Sequence, residues 1–160
     1  MLKINQKILN KIIVLISLIA LTSAFFIEYV LKYQPCNLCL YERIPYAVAI
    51  VIILLNYNFN FLQKFFLSLL IIVFLSSFLL SLYHLGIELG FVEESFVCKV
   101  KNISELLSKD EILQQLAEKS VSCKDVTFKI FGFSLTTLNM IISFLLTITL
   151  IFNKLAYGNK

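Results

Sequence analysis

The chain predicts an all-α integral membrane protein: a four-transmembrane-helix bundle with a long outer loop carrying a short amphipathic helix. Three observations lead there. Of 160 residues, 59% are hydrophobic and only 15% charged, which is more apolar surface than a soluble domain of this size can hide. The apolar residues gather into four runs of the length, roughly 20 residues, that a helix needs to cross about 30 Å of hydrocarbon. The polar residues gather into a single sizeable segment near the middle of the second half. The length sets one domain over 1–160 as the expectation. The net charge of +4 is spread thinly, without the dense basic tract that nucleic acid would call for.

The first span is expected at about 12–31, behind a flank holding Lys3, Lys7 and Lys11 and no acid. A cleaved signal peptide would place its small residues at Thr22-Ser23-Ala24, but the apolar run continues well past that point. Glu28, near the outer end of this span, reads most simply as an interfacial residue. A loop over about 32–43 follows, then a second span at about 44–62. Pro45 fits the first turn of a helix starting at Ile44, or a kink in one that starts near Leu38. Lys64 marks a connection so tight that the third span, about 65–87, must run antiparallel to the second. The outer loop at about 88–129 contains a capping box, Ser108 with Glu111, that opens a short helix to about Lys119. Its stripe of Ile112, Leu113, Leu116 and Ala117 suits the membrane interface or the bundle end. The fourth span, about 130–152, carries no charge. The Lys-rich N-terminal flank and the position of the cysteines both put the two termini on the cytoplasmic side.

The four cysteines fall as two pairs, Cys36 with Cys39 and Cys98 with Cys123, both in the outer segments. Stable disulfides are rare in a reduced cytosol, so this clustering suggests an oxidising compartment. Thiols in a C-x-x-C pair can bridge without much backbone movement, and a nearby cation or helix N-terminus favours the reactive thiolate. A bridge closing the Cys98–Cys123 loop would add about 3.5 kcal/mol by the chain-entropy model, whereas a C-x-x-C bridge restrains almost nothing. Zinc sites usually use two close C-x-x-C knuckles, which the wide second pair fits badly. From the residues alone, bracing disulfides and a four-cysteine metal site stay open beside redox exchange, which the spacing favours.

Arg43 follows Cys39 at i, i+4, as a snorkelling interface residue or as a group that stabilises a thiolate or a reduced electron acceptor. His84 and Glu88 share that spacing at the outer end of the third span. His84 is there as a structural hydrogen-bonding residue, or as a proton donor or hydrogen-bonding group for a redox cofactor. Glu42 is expected to face elsewhere, solvated.

On these residues the chain resembles a known family. Pro35-Cys36-x-Leu38-Cys39-x-x-x-Arg43, after the first span, is similar to the signature of the DsbB family of bacterial disulfide bond formation proteins. The four spans, the cysteine pair between spans three and four, and Tyr83-His84-x-Gly86-x-Glu88 extend the resemblance over nearly the whole chain. The loop matches only in cysteine placement, and the absence of Trp departs from many members. The resemblance implies a multi-pass protein of the bacterial inner membrane with its cysteines on the periplasmic side. It implies an enzyme, a quinone-dependent protein thiol:disulfide oxidoreductase that re-oxidises a periplasmic DsbA-like thiol oxidase. The electrons would pass to ubiquinone or menaquinone, and no metal would be needed. Cys98 would be attacked by the partner, Cys123 would attack Cys36, and Cys39 would leave as the thiolate that meets the quinone. Arg43, His84 and Glu88 would face the quinone. The chain also resembles vitamin K epoxide reductases, but there the C-x-x-C follows the loop pair and here it precedes it. A non-enzymatic membrane protein braced by disulfides is the alternative of a different class.

Overall fold

The computed structural model describes residues 5–58, 62–94, 98, 122–124, 129–130 and 132–158. Among them, four helical spans are long and apolar enough to cross a membrane: Gln6–Val30, Asn37–Tyr57, Gln63–Glu88 and Leu135–Ala156. Their apolar side chains do not all turn inward. Leu15, Ile72, Leu79 and Leu145 are each more than half exposed, which suits a surface solvated by lipid. The helix expected over 108–119 lies outside the described residues.

Helix α1, Gln6–Phe25, starts where the Asn5 side chain accepts the Lys7 backbone N–H at 3.0 Å. It begins earlier than position 12, because Gln6, Leu9, Asn10, Ile13 and Ser17 form one buried stripe that runs through the Lys-bearing flank. Its last turn widens to a π-helix over Phe26–Val30, which carries Glu28, and the chain turns away at Lys32 with φ of 59°.

The second span is two helices. Cys36 caps α2, Asn37–Tyr41, and α3 runs Ile44–Asn58. Pro45 has no N–H with which to continue α2, so the helix breaks at Glu42 and Arg43 and restarts at Ile44. Both readings of Pro45 therefore hold part of the answer.

Helix α4, Gln63–Glu88, packs most closely on α5, Leu135–Gly158. Ser77 and Ser143 meet across that contact at 2.9 Å, both fully buried. Small hydroxyl residues let two helices approach and hydrogen-bond where no water competes. The end of α4 is fixed by Gly90, at φ of 77°, and by Gly86, whose carbonyl accepts from Phe91 and Val92. A side chain at position 86 would lie 3.1 Å from Val92 Cγ2. Helix α5 starts later than position 130. Residues Lys129–Ile130 (β1) and Phe133–Ser134 (β2) pair antiparallel in a small hairpin, and the Ser134 side chain then accepts the Thr137 N–H at 3.2 Å.

Helices α1 and α4 flank α3, and α5 closes on α4. One half of the bundle is an apolar core built around Phe74, Ile13, Ile53, Leu70 and Leu150. A second, smaller cluster at the other end joins Cys36, Leu38, Ile87, Cys98 and Cys123, with Cys39 and Leu80 against it.

Candidate redox centre

All four cysteines meet in that smaller cluster. Cys98 and Cys123 are joined by a disulfide, and Cys36 and Cys39 are free thiols. The sulfurs of Cys36 and Cys39 and a ring nitrogen of His84 lie within 4.8 Å of one another. Cys36 is 5% exposed and His84 1%.

Local structure sets up Cys36. It sits outside the second span as the N-cap of α2, and its sulfur accepts the Cys39 N–H at 3.2 Å. Its sulfur is 3.5 Å from His84 Nε2. The Cys36 thiol is held well below its ordinary value, first by a hydrogen bond with the Cys39 thiol, then by the hydrogen bond and charge of His84, and least by the Cys39 backbone N–H. Burial opposes this and is outweighed. A lowered value keeps Cys36 as thiolate down to a more acidic pH. Site-resolved alkylation of the reduced protein with a small reagent should therefore keep its rate below the pH at which an ordinary thiol, near about 8.5, has lost it. In His84→Ala the midpoint should move up; an unmoved midpoint would remove His84 from this role.

The other face of His84 is held by carboxylates and hydroxyls. Nδ1 donates to Glu42 Oε1 at 2.9 Å and lies 3.3 Å from Thr136 Oγ1. Thr136 donates to Glu88 Oε1 at 2.5 Å, and that oxygen is 3.9 Å from His84 Nε2. Glu42, 8% exposed, also accepts from Asn139 Nδ2 at 3.1 Å. Asn139 in turn donates to Ser81 at 2.7 Å and accepts from the Tyr46 hydroxyl. A Cys–His–carboxylate line results, with Cys36 and Glu42 at the two ends of α2, His84 on α4, and Thr136 and Asn139 supporting it from α5. With the Nδ1 proton committed to Glu42, the Nε2 lone pair faces the Cys36 sulfur and is able to take its proton.

Glu42 is buried and bonded to His84, contrary to the solvated position expected from its place in the sequence. It occupies the break between α2 and α3, where Pro45 stops the first helix from continuing, and the break turns it inward onto His84. Glu28 is likewise more than an interfacial residue: it accepts from Arg43, whose guanidinium also lies 5.3 Å over the Phe25 ring. Asn139, Thr136, Ser81 and Tyr46 were not singled out from the sequence. The available signal was their polarity within apolar spans, where a polar side chain needs a partner.

A cavity of about 550 Å³ adjoins the centre. One end is polar, with Cys36, Cys39, Glu42, Arg43, His84 and Glu88, and Cys123 borders it too. The wall beyond is apolar, drawn from α1 (Ile16, Ile19, Ala20) and α5 (Leu138, Ile142, Leu145).

Fold and centre together define a helical-bundle membrane protein with a buried dithiol beside a second, disulfide-bonded cysteine pair. A family model described as "Disulfide bond formation protein DsbB" matches residues 6–153. The chain belongs to the DsbB family of disulfide bond formation membrane proteins. It is also 39% identical over 150 residues to the uncharacterized protein RP370 of Rickettsia prowazekii (strain Madrid E), a match covering 92% of this chain and 87% of that protein.

Proposed function

We propose that this chain re-oxidises a DsbA-like thiol oxidase and passes the electrons to a membrane quinone. In this reading it lies in the bacterial inner membrane, with both termini cytoplasmic and the cysteines facing the periplasm. The observation that carries it is the cavity, with the inner dithiol and Cys123 at its polar end and apolar helix faces beyond. Such a cavity fits a flat polar head joined to an isoprenoid tail, and an apolar wall accepts the tail of either ubiquinone or menaquinone.

The partner's thiolate attacks Cys98 and expels Cys123; the partner's second thiol then resolves the mixed disulfide and leaves both loop sulfurs reduced. Cys123 attacks Cys36 of the oxidised inner pair and expels Cys39. Cys98 then attacks Cys123, which restores the loop bridge and expels Cys36. Lower leaving-group values speed exchange, and the cap of α2 together with His84 favours Cys36 as that leaving thiolate. The final state has an outer disulfide and an inner dithiol, the pairing found here.

Two electrons and two protons must then leave the dithiol, and a bound quinone supplies that acceptor chemistry. Cys39, less buried than Cys36, is the thiol assigned to face it, with Arg43, His84 and Glu88 around the polar end. His84 takes the Cys36 proton at Nε2 while Glu42 holds the resulting imidazolium.

The test is quinone reduction by purified protein supplied with a reduced DsbA-like dithiol protein and a soluble ubiquinone or menaquinone analogue. Turnover is expected in the unsubstituted protein and none in Cys98→Ser. Absence of turnover with both quinone types, with the disulfides intact, would overturn the proposal.

A further inference from the structure

We propose that Cys36, Cys39 and His84, in the dithiol state, form a binding site for a thiophilic divalent cation of the Zn²⁺ type. The bound ion would hold the inner pair out of oxidation until it is removed. Three independent features of the site support this.

The first is geometry. A tetrahedral centre with Zn–S near 2.3 Å and Zn–N near 2.0 Å places its sulfur and nitrogen about 3.5 Å apart. Cys36 Sγ and His84 Nε2 are 3.5 Å apart, and Cys39 Sγ falls within the same 4.8 Å envelope. The second is the outer support. A metal-ligating imidazole normally donates its other N–H to a carboxylate or carbonyl, which fixes the tautomer and the ring plane. His84 Nδ1 already donates to Glu42 Oε1 at 2.9 Å, and Glu42 is itself held by Asn139. The third is charge. Two thiolates cancel the charge of the ion, so the ion with its three ligands adds no net charge where Cys36 and His84 are almost wholly buried.

Binding converts two thiols and a neutral imidazole into two thiolates and an imidazole bound to the ion, with release of two protons. No electron moves, and chelation reverses it. Three protein ligands leave a fourth position open, and all three residues line the cavity. This site differs from the four-cysteine arrangement weighed from the sequence, since Cys98 and Cys123 are bonded to each other.

The experiment uses the full chain in detergent with both Cys98→Ser and Cys123→Ser, so that the inner pair alone can be reduced. Cd²⁺ is titrated into the reduced protein and followed by thiolate-to-metal charge transfer in the ultraviolet. One equivalent per chain is expected, with no binding after oxidation by diamide. The loaded protein should resist diamide until a chelator is added. Glu42→Gln should weaken binding about 10–100-fold, and His84→Ala by more. Affinity unchanged in both variants would reduce the site to a bare dithiol and overturn the proposal, as would absence of a band. Because either variant could fold poorly, X-ray absorption on the zinc-loaded protein with His84 and Glu42 intact supplies the second readout. Two sulfurs near about 2.3 Å with an imidazole nitrogen near about 2.0 Å are expected; a shell without that pattern would overturn it. None of these readouts involves a partner protein or a quinone, so the outcome is separate from that of the relay.

Discussion

A Cys39→Ser protein should oxidise about one equivalent of a reduced DsbA-like dithiol and then stop, with no quinone reduced. The Cys98–Cys123 disulfide is complete without Cys39, so the first exchange with the partner needs nothing from the inner pair. That exchange leaves both loop sulfurs reduced. Their re-oxidation needs an inner disulfide for Cys123 to attack, and a serine at 39 leaves Cys36 with no sulfur to bond. Rapid-quench counting of oxidised partner per chain distinguishes this burst from turnover. Continued turnover in Cys39→Ser would sink the relay, and absence of even the burst would show that the loop pair does not meet the partner.

Glu42→Gln should slow turnover by roughly 10²-fold or more, the scale on which a positioned acid–base group acts. The amide keeps an oxygen for Asn139 but can turn its NH₂ towards His84 Nδ1. His84 then carries its proton on Nε2, and no lone pair faces Cys36. Geometry survives while the tautomer is wrong, which is why the isosteric change is more telling than removal of the side chain. The pH–rate profile should also shift to higher pH, because Cys36 must then ionise without a base beside it. Unchanged turnover with an unchanged profile would show that the Glu42–His84 contact is structural only.

Much of the architecture is legible in the chain itself. The spans can be read because the thickness of hydrocarbon sets a helix length, and apolar runs of that length are rare by chance. Their limits were less legible. The first helix starts within the Lys-bearing flank because its buried stripe begins at Gln6, and the fourth is delayed by the hairpin ending at Ser134. Neither feature alters the apolar run that marks the span.

The centre divides along the same line. The closeness of Cys36 to Cys39 follows from a spacing of three, which the backbone enforces whatever the rest of the molecule does. Membership of the DsbB family was equally readable, since its signature lies within nine consecutive residues from Pro35 to Arg43. Tertiary structure alone decided that Glu42 faces His84, that Asn139 and Thr136 complete the network from α5, and that Arg43 is engaged by Glu28. These contacts join residues on different spans, and each depends on how the spans are rotated about their axes. One residue of rotation turns a side chain by about 100°, and in this apolar bundle that rotation is set by packing, including the Ser77–Ser143 contact and the break before Pro45.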